Sequence, residues 1–324
     1  MHLTSRPRFL IASFRSSRRW YTHILRLDQS CFCWGTKTLS SLSEKTLLPV
    51  LALSLSEKTL LPEMVVLSET PLLVLPVLAF DLDDTLWDTA ATLGAAHAAM
   101  AAAAPALLEE HRSPDGFVKE MLATMATHPD QKHDFTFLRK TTLLRLLGCE
   151  RSAEESYTKW FAVRNQPCFF PGAIEALRRL QESGFRLCAI SDGNSRPMDI
   201  AELSGVFEFA VSAEEAGASK PDPRPFQLAA KRAGVPCSSM IYVGDNYEKD
   251  VVGAKATGMR AVWVRALRKQ SAEEAVAASV HNLSPVLSDE VKEAFSSVAD
   301  LEVAAVAELS LDLIADKLLS PGSS

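Results

Sequence analysis

The chain lacks the features that mark several large classes of protein. Its six cysteines are scattered without the paired spacing of a zinc site, so we expect them to be reduced and mostly buried. Positive charge is not in excess, and a formal net charge of −6 argues against nucleic-acid binding, which needs clustered Lys and Arg. Apolar runs stop short of the roughly 18 residues that a membrane-spanning helix requires. These absences favour a partner that is a small molecule.

The N-terminal region lacks acidic residues. Six arginines, interleaved with serine and aromatic residues, occur before the first acid, Asp28. This composition is typical of an organelle transit peptide and predicts a mitochondrial or plastid location. The alternative is a cytoplasmic protein whose basic N-terminal tail carries no targeting signal.

A short repeat follows this basic region. Residues 41–49 recur letter for letter as residues 54–62. Solenoid proteins need three or more units of roughly 20 to 50 residues, so the repeat indicates a low-complexity linker. We expect residues 1–73 to be a targeting segment and a disordered linker without a catalytic role.

From about residue 74 the chain alternates short apolar runs with helical patterns. The content of 47% hydrophobic and 23% charged residues allows a sizeable core. The alternation predicts an α/β fold, a Rossmann-like, doubly wound and mostly parallel sheet, formed by residues 74–88 and 169–268. Predicted strands lie at residues 77–80, 187–190, 209–211, 241–243 and 261–264.

Two other segments are predicted to be helical. Residues 89–168 are rich in Ala, Leu and Met, have apolar residues at helical spacing and contain no convincing strand. We interpret them as an inserted helical cap domain. Residues 269–324 are acidic and Ala-rich, and we expect a C-terminal extension of one or two helices.

The first motif is a buried strand that ends in a carboxylate cluster. After Phe80 come Asp81, Asp83 and Asp84. Because side chains alternate along an extended chain, Asp81 and Asp83 point to the same side. Paired acids suit a metal or acid–base chemistry. The alternative is an acidic turn in which Asp83 or Asp84 caps the next helix.

Three further motifs also follow predicted strands or precede a helix. Ser191 and Gly193 form a strand end that suits a phosphate, because it offers a hydroxyl and free N–H groups. Lys220 is followed by a proline, which restricts the backbone at this position. A cation fixed there would offset the negative charge of nearby carboxylates. Asp245 follows a strand that ends in glycine, and Asp250 lies five residues further on.

Taken together, residues 81–85, Ser191, Lys220 and the acids at 245 and 250 resemble the motifs of the haloacid dehalogenase-like hydrolase superfamily. The resemblance covers about residues 77–264. The insertion between the first two motifs resembles the helical cap of one subclass, which closes over small phosphorylated metabolites.

The resemblance implies a mechanism of phosphate ester hydrolysis. Asp81 would attack phosphorus and form an aspartyl-phosphate, which water then hydrolyses. Asp83 would protonate the leaving alcohol and later deprotonate the water. Mg²⁺ would be held by the Asp81 carboxylate, by Asp83 through its backbone carbonyl and by Asp245.

The remaining roles also come from the resemblance. Asp250 would steady the metal waters or Lys220, while Ser191, Gly193 and Lys220 would bind the phosphoryl group. In the cap, Arg139 is the residue that we expect to contact the leaving group. The other cap residues that could face the leaving group are His133, Asp134, Tyr157, Trp160 and Arg164.

Asp83 separates reaction classes within the superfamily. Dehalogenases lack an acid at that position, so its presence favours a phosphatase. A narrower resemblance, in residues 81–88 and around Lys220, is to the bacterial phosphatases of 5-amino-6-(5-phosphoribitylamino)uracil, a riboflavin precursor. The alternatives are a phosphomutase, a dehalogenase or a non-catalytic binding module. Oligomeric state stays open.

Overall fold

A computed structural model describes residues 8–16, 19–27, 75–265 and 298–319. The chain divides into two compact units, Met1–Val74 and Leu75–Ser324. Among the described residues, no helix has both the length and the apolar character needed to cross a membrane. The four cysteines described are free, and only Cys188 is fully buried. The expectation of mostly buried cysteines was therefore wrong for this part of the chain.

The first unit contains a two-stranded antiparallel ladder where disorder was expected. Strand β1 (Arg8–Ser16) pairs with β2 (Arg19–Leu27), Arg8 opposite Leu27 and Ser16 opposite Arg19. Both segments are rich in aromatic and β-branched residues, which favour extended chain. The predicted linker, residues 28–73, lies outside the described residues, and the targeting role stays a prediction.

The second unit contains eight strands and ten α-helices among its described residues. The strands are β3 (Val77–Phe80), β4 (Trp87–Asp88), β5 (Cys168–Phe169), β6 (Arg186–Ser191), β7 (Ala210–Ser212), β8 (Met240–Gly244), β9 (Arg260–Val264) and β10 (Leu301–Val303). The helices are α1 (Thr89–Ala103), α2 (Glu109–Arg112), α3 (Pro114–Thr127), α4 (Phe135–Leu147), α5 (Glu150–Arg164), α6 (Ala173–Glu182), α7 (Ala213–Ala216), α8 (Pro223–Ala233), α9 (Gly253–Ala256) and α10 (Leu311–Ile314). Short 3-10 turns lie at Pro129–Gln131, Pro197–Asp199, Ala201–Leu203, Cys237–Ser239 and Val306–Glu308, and π-helical turns at Tyr247–Val252 and Ala315–Leu319.

Six strands form one sheet in the order β10-β9-β8-β3-β6-β7, and every neighbouring pair is parallel. Both faces of the sheet are covered, which explains why its strands are apolar throughout rather than alternating. Leu78 and Phe80 pack with Leu177 of α6 on one face. Ala79 packs with Phe226 of α8 on the other. The prediction of a doubly wound parallel α/β fold is confirmed.

Helices α1 to α5 are inserted between β4 and β5, which pair antiparallel. They enclose an apolar cluster of their own, with Met100, Phe117, Leu138 and Trp160 among its buried members. Asp88 caps the start of α1 by accepting a hydrogen bond of 2.9 Å from the Ala91 N–H. The insertion is helical, as its composition indicated. The division into core and cap domains, with its boundaries, stays a prediction.

The C-terminal segment differs from the predicted helical extension. Leu301–Val303 forms the edge strand β10, and the 3-10 turn Val306–Glu308, the short helix α10 and the π-helical turn Ala315–Leu319 follow it. Val303 and Leu309 are buried in the same apolar cluster as α6. Pairing with β9 and this burial outweigh the local helical preference of a short Leu-Glu-Val segment. Residues 269–297 lie outside the described residues.

Candidate active site

The sheet topology brings the predicted motifs to one edge. Asp81 follows the last residue of β3, Ser191 ends β6, and Asp245 follows the last residue of β8. The chain leaves β3 for β6 and β7 and then returns to the other side of β3 to form β8. Ligands of such sheets bind at the carboxyl ends of the strands where the order reverses.

Lys220 lies at the centre of the acidic cluster. It is 4% exposed, and its Nζ donates hydrogen bonds to Asp81 Oδ1 at 2.6 Å and Asp250 Oδ1 at 2.7 Å. The third partner is the Tyr242 hydroxyl at 2.7 Å. An ammonium group has three protons to donate, so all of them are used. Burial lowers the pKa of Lys220, but the Asp250 and Asp81 carboxylates outweigh it and raise this pKa well above its usual value.

Thr85 joins the two candidate metal ligands. Its hydroxyl lies 3.3 Å from Asp81 Oδ2 and 3.1 Å from Asp245 Oδ1, and it accepts from the Asp245 N–H at 3.1 Å. Burial raises the pKa of Asp81 to about 7, although Lys220 opposes this shift. Burial, and then repulsion from Asp81, raises the pKa of Asp245 well above its usual value. The site therefore concentrates negative charge that a cation would stabilise.

Asp250 lies beside the two candidate metal ligands, Asp81 and Asp245. It is 1% exposed, and its Oδ2 accepts a hydrogen bond of 2.9 Å from the Asn246 N–H. A Cβ atom at Gly244 would collide with the Asp250 carboxylate, which explains why glycine ends β8. One carboxylate thus holds both Lys220 and the turn that carries Asp245.

The donor set fits a hard cation. Oxygens of Asp81, Asp245 and Asp250 lie within 4.8 Å of one another. Carboxylate oxygens are the ligands that Mg²⁺ and Ca²⁺ prefer, and Mg²⁺ commonly keeps several waters beside one or two carboxylates.

Asp83 faces the inserted helices. Its carboxylate accepts hydrogen bonds from Arg164 Nη2, at 2.7 Å to Oδ1 and 2.6 Å to Oδ2. Trp87 Nε1 donates to Oδ1 at 2.8 Å, and the Thr89 hydroxyl lies 3.2 Å from the same oxygen. Asp83 therefore faces the insertion and contacts the last residue of α5.

The alternative interpretation, in which Asp83 or Asp84 caps α1, applies in part to Asp84. Asp88 is the N-cap, but Asp84 Oδ1 accepts a hydrogen bond of 3.0 Å from the Thr89 N–H.

Gly193 is packed between three functional groups. A Cβ atom at this position would collide with Asp83 Oδ2 and lie 2.9 Å from Arg164 Nη2 and 3.3 Å from Ser191 Oγ. Its own N–H donates to Ser191 Oγ at 3.0 Å. Glycine is therefore required for the second motif to approach the first.

These groups surround one small cavity that is open to solvent. Asp192 and Lys249, an ion pair of 3.4 Å, lie at its wall. All seven residues predicted for catalysis, metal and phosphate line this cavity: Asp81, Asp83, Ser191, Gly193, Lys220, Asp245 and Asp250.

The structure places Arg139, predicted to contact the leaving group, elsewhere. Its guanidinium lies 3.9 Å from the ring centre of Trp160, inside the apolar cluster of the insertion, and it does not line the cavity. Arg164 makes the contact with the motif residues instead. Sequence reasoning grouped both arginines among the cap candidates. No signal in the periodicity ranks Arg164 first, because its position depends on how α5 ends above Asp83.

The comparison with known families decides the identity of the fold. The sequence model of the haloacid dehalogenase-like hydrolases matches residues 75–258. The chain belongs to this family. The resemblance predicted from the motifs is confirmed.

Several known proteins are similar to this member of the family. The 5-amino-6-(5-phospho-D-ribitylamino)uracil phosphatase YigB of Escherichia coli is 30% identical over 60% of this chain and 85% of its own length. A glyceraldehyde 3-phosphate phosphatase of Pyrococcus abyssi is 29% identical over 59% of this chain and 82% of its own. The crystal structure of a 2-haloacid dehalogenase from Pseudomonas syringae matches with a TM-score of 0.59 and 28% identity, covering 75% of this chain and 99% of that one.

Proposed function

We propose that this protein is a Mg²⁺-dependent phosphatase that hydrolyses a small phosphorylated metabolite through an aspartyl-phosphate on Asp81. The single observation that carries the proposal is the cluster of Asp81, Asp245 and Asp250 around Lys220 at the carboxyl edge of the sheet. The family of the chain and its phosphatase relatives support a phosphoric monoester hydrolase.

Asp81 is suited to act as the nucleophile. Lys220 and Thr85 each contact one of its oxygens, which fixes the orientation of the carboxylate. Its backbone N–H is bound to Val243 O at 2.8 Å, so the main chain is held by the sheet. A carboxylate that is already held in one orientation loses little entropy when it attacks phosphorus.

Asp83 is suited to act as the general acid and base. It lies two residues from the nucleophile and lines the same cavity, within reach of the departing oxygen. Ser191, Gly193 and Lys220 surround the place of the transferring phosphoryl group. Asp81, Asp245 and the backbone carbonyl of Asp83 would hold Mg²⁺, which supplies a positive charge between anionic nucleophile and anionic substrate.

Asp83 also favours phosphate esters over the alternatives. The dehalogenase similarity concerns fold and sequence at 28% identity. A dehalogenase needs no acid at the second motif position, whereas an alcohol leaving group needs a proton. A phosphomutase would use the same core groups, and a binding module would not need the intact set of acids.

The riboflavin precursor 5-amino-6-(5-phosphoribitylamino)uracil is one candidate substrate. The similarity to the Escherichia coli phosphatase, over 85% of its length, supports testing it. The resemblance of the insertion to a cap that closes over small phosphorylated metabolites favours low-molecular-weight esters over proteins.

The experiment is a phosphate-release assay with a panel of esters. It includes the riboflavin precursor, flavin mononucleotide, 2-phosphoglycolate and sugar phosphates, each with Mg²⁺ or with EDTA. Turnover that needs Mg²⁺ and is lost in Asp81→Asn supports the proposal, and Asp130→Asn, an exposed acid of the insertion, is the matched control. Turnover that persists in Asp81→Asn would overturn it. So would the absence of turnover with every ester in a folded protein.

A further inference from the structure

Two lysines line the cavity of the candidate active site together with a larger set of acids. The lysines are Lys220 and Lys249, and the acids are Asp81, Asp83, Asp84, Asp192, Asp245 and Asp250. A phosphate monoester carries a charge of about −1.5 to −2 at neutral pH, so it enters a cavity that is rich in carboxyl groups. Each cation that reaches the ester therefore offsets repulsion and strengthens binding.

Lys220 is already engaged by the groups around it. Its Nζ donates to Asp81 at 2.6 Å, and to Asp250 and the Tyr242 hydroxyl at 2.7 Å. These three bonds use all three protons of the ammonium group. Lys220 can donate to a phosphoryl oxygen only if it gives up one of them, which leaves a buried polar group without its partner. A cation with a weaker contact can turn to the substrate at lower cost.

Lys249 is such a cation. Its Nζ lies 3.4 Å from Asp192 Oδ2, beyond the usual length of an N–H···O hydrogen bond, and 17% of its side chain is exposed. Ion pairs that reach solvent contribute little to stability. The Lys249 backbone N–H donates to Asn246 Oδ1 at 3.0 Å, so the main chain is fixed while the long side chain can change rotamer. The ammonium group can thus leave Asp192 while the turn that carries Asp250 stays in place.

Asp192 brings this ion pair next to the phosphate-binding groups. It lies between Ser191 and Gly193, the residues proposed to bind the phosphoryl group. Its Oδ1 accepts a hydrogen bond of 2.8 Å from the Lys220 N–H, which fixes the carboxylate. Its Oδ2 faces Lys249. One oxygen therefore joins the second motif to Lys220, and the other holds the Lys249 ammonium at the wall of the cavity.

We propose that Lys249 is a second phosphate-binding cation, which pairs with Asp192 before a substrate binds and moves to the phosphoryl oxygens of a bound phosphate ester or of inorganic phosphate. The inference rests on the proposed function and adds a binding residue to it. Asp192 competes with phosphate for the same ammonium group and takes it back when phosphate leaves. The ion pair therefore weakens the binding of the product and favours its release.

Binding of inorganic phosphate to the full chain with Mg²⁺, measured by calorimetry, tests the inference without any turnover. Lys249→Met removes the charge and keeps a long side chain, and we expect phosphate to bind about tenfold more weakly, the size of one charge-assisted hydrogen bond. Lys249→Arg keeps the charge and should retain most of the affinity. Lys231→Met is the control, because Lys231 is an exposed residue of α8 that does not line the cavity.

Asp192→Asn distinguishes an exchange of partners from a structural role of the ion pair. Asparagine keeps an oxygen for the Lys220 N–H but lacks the negative charge that holds Lys249. We expect phosphate to bind about twofold to fivefold more tightly, since no ion pair has to be broken first. A purely structural pair predicts weaker binding in both Asp192→Asn and Lys249→Met, and that result would overturn the inference.

A double variant separates the exchange from the simple removal of a negative charge. In the Lys249→Met background, Asp192→Asn should no longer tighten phosphate binding, because no lysine is left to release. If the gain in affinity persists in that background, Asp192 acts by general repulsion of phosphate, and the exchange is contradicted.

The outcome can be told apart from that of the ester assay. Unchanged phosphate affinity in Lys249→Met, in a protein that hydrolyses esters, overturns the role of Lys249 and leaves the phosphatase proposal in place. Weaker phosphate binding in Lys249→Met, in a protein that hydrolyses no ester, supports the role of Lys249 and rejects the phosphatase.

Discussion

At the scale of single residues, the site depends on close approaches that tolerate no added atom. Gly193 lies against Asp83, Arg164 and Ser191. Gly193→Ala should therefore displace the Asp83 carboxylate and lower kcat by about tenfold to a thousandfold, in the range of lost acid–base catalysis or of a reacting group misplaced by about 1 Å.

The comparison variant for this prediction is Gly94→Ala. Gly94 lies within α1, and a Cβ there meets nothing within 4 Å. Gly94→Ala should leave kcat unchanged and stabilise the protein by about 0.5–1 kcal/mol, because alanine has a higher helix propensity than glycine. Steady-state kinetics and chemical denaturation measure the two effects. If both alanine variants keep full activity, the crowding at Gly193 has no catalytic consequence.

Asp81 gives a prediction about pH. Its pKa is raised to about 7 from an ordinary 3.8, chiefly by burial, so below pH 7 the metal-free protein holds a proton on this carboxyl. A protonated carboxyl is a poor ligand, and Mg²⁺ must displace the proton. Mg²⁺ affinity should therefore rise as the pH increases through 7, with proton release on binding.

Calorimetry in buffers of different ionisation enthalpy measures both quantities. Asp81→Asn should bind Mg²⁺ more weakly, with a smaller pH dependence, and Asp130→Asn should behave like the unmodified protein. An Mg²⁺ affinity that stays constant between about pH 5 and 8 would show that Asp81 is not a ligand that titrates in this range.

At the scale of elements, the positions of the strands could be predicted from the sequence. The contacts between the inserted helices and the motif residues could not. The predicted strands 77–80 and 241–243 lie within β3 and β8, because buried apolar runs bounded by polar turns identify parallel strands. The motif residues at their ends could be predicted for the same reason. The roles of Arg139 and Arg164 could not, since helical periodicity does not specify which arginine meets Asp83.

The edge strand β10 was also missed. Leu301–Val303 is three residues long, and its strand character comes from pairing with β9 rather than from its own pattern. The segment after it nevertheless contributes to the core, because Leu309 and Ile314 are almost completely buried.

This contribution can be measured as a free energy of unfolding. Leu309 is 0% exposed, so Leu309→Ala should destabilise the protein by about 2–5 kcal/mol, the cost of a core cavity. Leu108, which is 63% exposed, supplies the same substitution at the surface, and Leu108→Ala should change stability by less than about 0.5 kcal/mol. Equal midpoints in urea for both variants would mean that the C-terminal segment does not pack on the sheet.

At the scale of the whole molecule, different parts of the fold supply the different groups of the candidate site. The parallel sheet supplies Asp81 and Asp245 from strands that are buried on both faces, while the insertion supplies Arg164 to Asp83. In the proposed mechanism, the nucleophile Asp81 follows a strand of the buried sheet, whereas Arg164, the cation beside Asp83, belongs to the inserted helices. This arrangement explains why the motif residues at the strand ends could be predicted from the sequence while the contacts of the insertion could not.

The most direct test of the account is to identify the residue that receives the phosphoryl group. Wild-type protein is mixed with substrate and Mg²⁺, quenched in acid within one turnover, digested and analysed by mass spectrometry. The account predicts one phosphoryl group on the peptide that contains Asp81, labile to base, and absent with EDTA or in Asp81→Asn. Phosphate release without any phosphorylated Asp81, or a phosphoryl group on Ser191 instead, would contradict it.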